Sequence, residues 1–529
     1  MRIAFVSLYG NFSPIAERIG QEIGFKNILF CYYYKDYSKW WDGILPKPDF
    51  KYDRRGAKNI LNTVYSFRPD FCIFDMTGEG TLADEFREAR IPVIGSCEFC
   101  DFLELNRFYG EKIIKSLGFN TPGSVYIQEY SEAIRFIKSR KDQDERWVIK
   151  FNDNQGNFSS YVSTDCSDML EELEHFNEAN RVDFTRGAII QEFIEGIEVS
   201  CEGWFDGDNW VEDGFNYTME EKKFLTGNLG PSTGCEGNLV WKAKSNEKIP
   251  KQFSRLSPLL RRFSYVGPFD VNNIIATENH KYKGFPEIIK GINYVLEPTP
   301  RFGYDAIYTL LEGYKGLISN LFAGLITQSL TSIDISTDAL MGLRVSIPPY
   351  PFNDISQTHD RVIEKLSRAT LRYMLKSTEG TIVRIRDLHS LKHIWLQDIR
   401  IEEKKQRLIV NGTDSVIAVV TAKDQSLQKA VEEVKRLAQS LDIPNPQYRL
   451  DVGFRAFKEI PQLVELKILQ EPEFSLLKDQ SSKPEKIVLS DAEKTASPQE
   501  DLEFYDFSSD ETPLPSDNGD KESHTVPSE

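Results

Sequence analysis

The chain has 529 residues, of which 40% are hydrophobic and 12% aromatic, so it is long enough for several folded domains with sizeable cores. Its formal net charge is −17, which excludes general binding to nucleic acid, because phosphate contacts require an excess of Lys and Arg. The charge is unevenly placed: residues 471–529 hold 16 Asp and Glu against 5 Lys, a balance of −11, which leaves −6 for residues 1–470.

The seven cysteines are scattered and odd in number, which indicates reduced thiols rather than a disulfide framework. Cys97 and Cys100 form a CxxC, but no second CxxC or His pair accompanies them, which disfavours a zinc or redox centre. The first residues form a strand pattern, not a signal peptide, and no stretch approaches the ~18 apolar residues of a membrane helix. We therefore expect a cytoplasmic protein that binds neither membranes nor nucleic acid.

Residues 1–105 predict an N-terminal α/β domain. Short apolar runs alternate with helical patterns, which favours a doubly wound parallel sheet. Strands are predicted at 2–8, 27–34, 71–75 and 91–95, and helices at 13–23 and 54–67. Ligands of such sheets bind beyond the carboxyl ends of the strands, where residues 9–11 and 76–80 lie. No GxGxxG follows the first strand, so a dinucleotide site is not predicted.

Residues 106–330 predict a second domain in which polar residues follow buried strands. Lys150 lies in a short apolar strand, and a turn-rich loop at 152–157 comes directly after it. A second glycine-punctuated loop covers residues 227–234. The other predicted elements are helices at 106–122, 166–178 and 305–323, and strands at 147–151, within 188–200 and from 267 onward.

The stretch 295–303 has the most informative chemical pattern. An apolar run ends in Glu297, and Thr299 and Arg301 follow at a spacing of two. In an extended strand these three side chains project from one face. That face would carry a carboxylate, a hydroxyl and a cation, which suits a magnesium-bound polyphosphate beside a carboxylate substrate. The strand from residue 267 is predicted to be its antiparallel neighbour.

The C-terminal part of the chain changes character twice. Residues 335–465 show short strands and one long helix at 426–439, which predicts a small α+β domain. Residues 471–529 are rich in Ser, Pro, Asp and Glu, and they are predicted to be a disordered acidic tail because they cannot bury enough apolar surface. The aromatic segment 501–507 within the tail is a candidate docking site for a protein partner, and a patch without function is the alternative.

Several motifs resemble those of the ATP-grasp ligases, most closely the phosphoribosylamine–glycine ligases, and they occur in the same order over residues 1 to about 460. Helix 106–122 resembles the family's entry helix, and residues 191–198 are similar to its adenine linker. Residues 230–234 resemble its GPNTGG loop and residues 297–303 its EFNxRFGDPE motif. Tyr448 to Gly453 is close to YRxDIG. The resemblance implies a central ATP-grasp domain between the two flanking domains.

The resemblance also implies an activity: a substrate carboxylate attacks the γ-phosphate of ATP, and an amine then displaces phosphate from the acyl phosphate. For the phosphoribosylamine–glycine ligases this is a step of purine biosynthesis, with glycine and phosphoribosylamine as small-molecule substrates and with ATP and Mg²⁺ or Mn²⁺ as cofactors. The implied catalytic residues are Lys150 and Arg301; the implied ATP contacts are Lys150, Gln191, Glu192, Phe193, Ile194 and Glu198; the implied substrate contacts are Gly230, Ser232, Thr233 and Arg301; and the implied metal ligands are Asp270, Glu297 and Thr299.

The chain also departs from the family pattern. Residues 8–12 replace the Gly-Gly-Arg-Glu-His turn at the phosphoribosyl end of the family's site, and the loop after Lys150 lacks the glycine run and second lysine. Glu111 stands where the family has a phosphate-facing lysine, and Thr299 replaces a metal-binding Asn. Three hypotheses therefore remain open: a phosphoribosylamine–glycine ligase, an ATP-grasp ligase with another amine or carboxylate, and a nucleotide-binding scaffold without catalysis.

Overall fold

A computed structural model describes most of the chain. The described residues are 1–53, 56–140, 144–153, 160–178, 182–351, 374 and 376–476. Residues 1–477 form one compact unit. The predicted loop after Lys150 lies mostly outside the described residues, as do the aromatic segment 501–507 and the rest of the tail from 477 onward.

The N-terminal part is a parallel sheet with helices, as the alternating pattern predicts. Its elements are β1 (Ile3–Ser7), α1 (Ser13–Ile23), β2 (Ile28–Tyr32), β3 (Tyr52–Asp53), β4 (Gly56–Ala57), α2 (Ile60–Phe67), β5 (Phe71–Phe74), α3 (Gly80–Glu88), β6 (Val93–Ile94) and α4 (Glu98–Leu105). The parallel strands have the order β2-β1-β5-β6. The helix predicted at 54–67 begins only at Ile60, because Gly56 and Ala57 pair with Asp53 and Tyr52 in a short hairpin.

A second, antiparallel sheet follows in the order β7-β10-β8-β9. Its elements are α5 (Arg107–Ser116), β7 (Ser124–Ile127), α6 (Tyr130–Lys138), β8 (Trp147–Phe151), β9 (Ser160–Val162), α7 (Cys166–Glu178) and β10 (Ala188–Glu192). The predicted bounds of β8 and α7 are confirmed. The predicted first helix is shorter than expected: the Asn106 side chain caps its start by accepting from the Tyr109 N–H, and the helix ends before Gly118, whose φ is +83°.

A long antiparallel sheet carries the remaining strands. The first of these strands, with the helices between them, are β11 (Gly196–Phe205), β12 (Trp210–Lys223), β13 (Ser232–Lys242), α8 (Ser257–Arg262), β14 (Gly267–Ala276), β15 (Asn293–Thr299), α9 (Ala306–Gly313), α10 (Ile318–Ile326) and β16 (Ala339–Ser346). The predicted antiparallel pairing of β14 with β15 is confirmed. The single helix predicted at 305–323 is wrong: α9 ends at Gly313, and Tyr314 instead forms a β-bridge with Ile335 before α10 begins.

Two of the C-terminal strands extend this same sheet, and four others form two separate two-stranded sheets. They and their helices are β17 (Arg384–Ile385), β18 (Ile394–Leu396), β19 (Ile399–Glu402), β20 (Arg407–Val410), β21 (Val416–Asp424), α11 (Leu427–Ser440), β22 (Leu441–Asp442) and α12 (Ala456–Glu465). The long sheet has the order β15-β14-β11-β12-β13-β16-β21-β18. The predicted helix at 426–439 is confirmed as α11, one residue further on.

The start of the predicted tail packs onto this part of the structure. Phe474 is 4% exposed, and the Ser475 carbonyl accepts from the Leu427 N–H at the start of α11. The expectation that the chain is disordered from residue 471 is therefore wrong for 471–476.

Aromatic packing joins the N-terminal part to the segment that follows β15. The Phe302 ring lies 4.6 Å from that of Phe12 and 6.0 Å from that of Trp204, measured between ring centroids. Phe302 is buried, so burial of its side chain anchors the backbone of the neighbouring Arg301.

All seven cysteines are buried free thiols, and Cys97 caps α4 by accepting from the Cys100 N–H. Among the helices that the structure describes, none combines the length and the apolar character that a membrane crossing requires.

Candidate functional site

A cleft of about 1480 Å³ lies against one face of the long sheet, with the antiparallel sheet of β7 to β10 on one side and the carboxyl ends of β1 and β5 on the other. Eleven of the thirteen predicted site residues line it: Lys150, Gln191, Glu192, Phe193, Ile194, Glu198, Gly230, Ser232, Thr233, Glu297 and Arg301. The other two, Asp270 and Thr299, are not among the residues that line it.

Glu297, on β15, is surrounded by cations. The Arg107 guanidinium, at the start of α5, forms an ion pair with its carboxylate. Burial alone would raise the pKa of Glu297, but Arg107, Lys150 and Lys222 lower it to about 2. Glu297 is therefore ionised at neutral pH, as a ligand of a hard cation must be.

Lys150 reaches the cleft from β8 and donates from Nζ to the Leu296 carbonyl at 2.8 Å. Burial lowers its pKa to about 8, and Glu297 opposes this shift. A buried cation beside an ionised carboxylate can hold a phosphate group, because it offers its charge where water is largely excluded.

The residue opposite Glu297 on the neighbouring strand is Asn272, not Asp270. The register pairs Asn272 with Glu297 and Asp270 with Thr299. Asp270 and Thr299 thus lie opposite each other, two positions along their strands from Asn272 and Glu297, and neither lines the cleft. The metal set of Asp270, Glu297 and Thr299 stays a prediction.

Asp270 instead faces other carboxyl groups. It pairs with Glu202 on β11 in the register of the sheet. Burial and the neighbouring charges of Glu202 and Glu220 raise the pKa of Asp270 well above its usual range, and burial raises that of Glu202 to about 7. Burial thus disfavours the charged form of both carboxyl groups.

Asn272 has an unused acceptor. Its Nδ2 donates to Glu198 Oε1 at 2.9 Å, whereas its Oδ1 is buried without a hydrogen-bond partner. An orphaned amide oxygen opposite an ionised carboxylate fits a divalent cation, which takes one or two protein oxygens and completes its shell with phosphate and water. Within the described residues, no group of three or more His, Cys, Asp or Glu side chains forms a metal site by itself.

Glu198, predicted to bind the nucleotide ribose, is held in place by two neighbours. Lys222 Nζ lies 2.5 Å from its Oε1, which also accepts from Asn272. Burial opposes ionisation, but Lys222 lowers the pKa of Glu198 to about 2. Both contacts engage Oε1, and the carboxylate keeps its charge.

The segment predicted to read adenine begins in β10 and continues along the rim of the cleft. Gln191 donates to Glu111 Oε2 at 2.7 Å, which explains why a carboxylate is tolerated where the family has a lysine. Glu192 accepts from the Gly123 N–H at 2.6 Å, and the Arg146 guanidinium stacks on the Phe193 ring at 3.7 Å. The backbone of this segment is thus rigidly positioned.

The glycine-punctuated loop owes its position to the C-terminal motif. Arg449 is 2% exposed and donates to the Lys223 carbonyl and to Asn228 Oδ1, both at 2.7 Å. Asp451 accepts from the Gly227 N–H at 2.9 Å. The segment Tyr448 to Gly453 therefore shapes the loop that carries Gly230, Ser232 and Thr233 without lining the cleft itself.

Arg301 is fixed by a residue that the sequence did not point to. Its Nε donates to Glu104 Oε1 at 3.0 Å, and its guanidinium stacks over the Tyr304 ring at 4.3 Å. Burial opposes the charge, but Glu104 raises the pKa of Arg301, so it remains a cation at every accessible pH. The other residues of the site that sequence reasoning missed are Arg107, Lys222 and Asn272. Arg107 follows the predicted cap Asn106, but no local sequence signal indicates its contact with Glu297.

Comparisons with known proteins come from curated sequences and from solved structures, and no family model matches the chain. The chain is 22% identical to the phosphoribosylamine–glycine ligase of Chlorobaculum tepidum over 384 residues, which covers 72% of this chain and 82% of the relative.

Among solved structures, phosphoribosylamine–glycine ligase from Thermotoga maritima aligns with a TM-score of 0.58 at 15% identity, over 86% of this chain and all of that one. The biotin carboxylase domain of Hydrogenobacter thermophilus 2-oxoglutarate carboxylase, in complex with MgADP and bicarbonate, aligns with a TM-score of 0.55 at 13% identity, over 84% of this chain and 91% of that one. The predicted resemblance to the ATP-grasp ligases and the predicted fold class are thus confirmed, and the chain shares the fold of these solved structures.

Proposed function

We propose that the chain is an ATP-dependent ligase that joins a carboxylate to an amine through an acyl phosphate. The observation that carries the proposal is the ionised Glu297 at the centre of the cleft, flanked by Arg107, Lys150 and Lys222. This arrangement suits a nucleotide polyphosphate with its metal, since alternating fixed charges neutralise both the phosphates and the cation. The similarity to the phosphoribosylamine–glycine ligases supports the same reaction class.

In this proposal Lys150 binds the nucleotide phosphates, the backbone of 192–194 reads adenine, and Glu198 accepts from the ribose hydroxyls. Glu297 and Asn272 hold Mg²⁺, or Mn²⁺ in its place, in preference to Asp270 and Thr299. The metal supplies charge neutralisation for the transferred phosphoryl group. Arg301, kept charged by Glu104, orients the substrate carboxylate and then the acyl phosphate.

The bonds change in two steps. A carboxylate oxygen attacks the γ-phosphorus, and the bond to the bridging oxygen breaks as ADP leaves. The nitrogen of a neutral amine then attacks the acyl carbon, the carbon–oxygen bond to phosphate breaks, and the leaving phosphate and solvent take up the electron pair and the proton. Arg301 and the Ser232 and Thr233 loop lie beside the position where this carbon would be held.

Glycine and phosphoribosylamine, in purine biosynthesis in the cytoplasm, are the first candidate substrates, because the relatives are named for them. The second candidate is an amino-acid carboxylate with a different amine, and the replaced turn at residues 8–12 favours it.

Trapping with hydroxylamine tests the reaction class independently of the natural amine. The full chain, incubated with ATP, Mg²⁺ and glycine or other amino acids, should convert hydroxylamine to a hydroxamate and release ADP. Glu297→Gln should reduce both signals by at least about 100-fold, since the metal loses its ionised ligand. The matched control Glu278→Gln, at an exposed position, should keep wild-type rates.

The absence of hydroxamate and ADP with every carboxylate would refute the ligase proposal. Tight binding of ATP in the same preparation would then favour the scaffold hypothesis. Equal rates in Glu297→Gln and Glu278→Gln would remove Glu297 from the site.

A further inference from the structure

The end of the cleft formed by the N-terminal sheet has a different chemistry from the nucleotide end. Tyr9, Tyr37 and Asp75 line it, and they follow the carboxyl ends of β1, β2 and β5. Tyr9 is 38% exposed, and its ring centroid lies 5.5 Å from those of both Tyr34 and Tyr37. This end therefore offers aromatic faces beside a carboxyl group.

Asp75 is the central polar group of this end. It is 3% exposed, and its Oδ2 accepts from Ser7 Oγ at 2.5 Å, while Ser7 Oγ itself accepts from the Gly10 N–H. The other oxygen, Oδ1, is buried and makes no well-aligned hydrogen bond, although the backbone N–H groups of Phe12 and Leu8 are close enough to lower the pKa of the carboxyl group. Such an orphaned acceptor in the wall of a cavity is a place for a donor from a ligand.

The arginines that line this end form ion pairs with carboxylates of the protein. Among the described lining residues, Arg344 donates to both oxygens of Asp305 at 2.8 Å, and Arg301 is paired with Glu104. A phosphate would meet Asp75 at the start of α1, where the backbone N–H groups of a helix could otherwise hold it. Charge repulsion at that position disfavours a phosphorylated substrate.

Asp414 contributes a further carboxyl group to the same end of the cleft. Asp414 also lines the cleft, and burial together with Asp414 raises the pKa of Tyr37 well above its usual range. Aromatic faces with adjacent carboxyl groups are the combination that recognises an ammonium ion, through the ring quadrupole and through direct charge.

We propose that this end of the cleft binds an amine substrate that carries a second, positively charged ammonium group and no phosphate. This rests on the proposed ligase function: the neutral amino group attacks the acyl phosphate, and the ammonium group lies against the exposed face of the Tyr9 ring and donates to Asp75 Oδ1. The substrate class is thus a diamine or an amino-acid derivative with a free basic group, in place of phosphoribosylamine.

The test compares two probes on the full chain saturated with a non-hydrolysable ATP analogue and Mg²⁺. By calorimetry, 1,4-diaminobutane should bind about 10-fold more tightly than ribose 5-phosphate. Asp75→Asn should weaken diamine binding by about 10-fold while leaving the affinity for the ATP analogue unchanged. Asp49→Asn, at an exposed position of the same sheet region, should leave both affinities at the wild-type value.

Tighter binding of ribose 5-phosphate, no measurable binding of the diamine, or an unchanged diamine affinity in Asp75→Asn would each overturn the proposal. The hydroxylamine assay does not use this end of the cleft. Hydroxamate formation together with any of these outcomes therefore refutes the diamine class alone, whereas loss of hydroxamate refutes the ligase function on which it rests.

Discussion

The pKa values of carboxyl groups at the two ends of the cleft are shifted in opposite directions. At the nucleotide end, Glu297 and Glu198 are compensated by cations, and both have a pKa of about 2. At the N-terminal end, burial raises the pKa of Asp75 to about 7, and the Ser7 hydrogen bond only partly offsets it. Cations therefore hold the carboxylates ionised at one end, whereas burial favours the protonated form of the acid at the other.

The largest effect should come from breaking the compensation at the nucleotide end. Arg107→Met leaves the partly buried Glu297 without its ion-pair partner, and the free energy of unfolding at pH 7 should fall by about 3 kcal/mol. Because the folded pKa of Glu297 lies below its usual value, this contribution is present above about pH 4.5 and is lost as the pH falls toward 2. Urea denaturation at pH 7 and pH 3 measures it, with Arg107→Lys as the charge-preserving control; an equal loss at both pH values would contradict the ion-pair explanation.

At the N-terminal end of the cleft, removing the charge of a carboxyl group should raise the free energy of unfolding instead of lowering it. Asp75→Asn removes a buried acid that no cation compensates, so it should raise the free energy of unfolding by about 2 kcal/mol at pH 8. The folded pKa is raised, so the wild-type side chain loses its stabilising contribution as the pH rises from about 4 to 7, and the gain from the variant should disappear at pH 4. A variant that is less stable than wild type at pH 8 would show that the Ser7 hydrogen bond outweighs the cost of burial.

Proton linkage at Lys150 provides a smaller test of the nucleotide end. Its pKa of about 8 means that the free protein loses this cation between pH 7 and pH 9, whereas the bound nucleotide requires it charged. The Kd for a non-hydrolysable ATP analogue with Mg²⁺ should rise about 10-fold over that range. In Lys150→Arg the Kd should be flat with pH, since a guanidinium does not deprotonate; a parallel rise in both proteins would assign the effect to another group.

The sequence predicted the parts of this molecule that depend on local pattern. The bounds of β8 and α7 follow from an apolar run and a 3.6-residue period, and both were correct. The break between α9 and α10 depends on the β-bridge of Tyr314 with Ile335, a contact outside the helix, so periodicity alone gave a single helix. Local signals lose their value where tertiary contacts decide.

The site shows the same division. Glu297 and Arg301 were predicted because they lie close together in the sequence: Glu297 is in β15, and Arg301 follows two residues after the strand ends. The position of Asn272 opposite Glu297 was not predicted, because a single sequence does not reveal the register between two strands. Arg107 was missed for a related reason: it meets Glu297 across 190 positions of sequence.

The smallest expected effect distinguishes the contribution of the Tyr9 ring to diamine binding from that of its hydroxyl group. If the exposed Tyr9 contributes through its aromatic face, Tyr9→Leu should raise the Kd for 1,4-diaminobutane about 3-fold, while Tyr9→Phe should change it by less than about 2-fold. Neither variant should alter the Kd of the ATP analogue, because Tyr9 stands at the opposite end of the cleft from Lys150. Calorimetry on the same nucleotide-saturated protein measures both. If Tyr9→Phe weakens diamine binding as much as Tyr9→Leu, the phenol oxygen is the contact, and the ammonium group is held by hydrogen bonds to Tyr9 and Asp75 with no contribution from the ring.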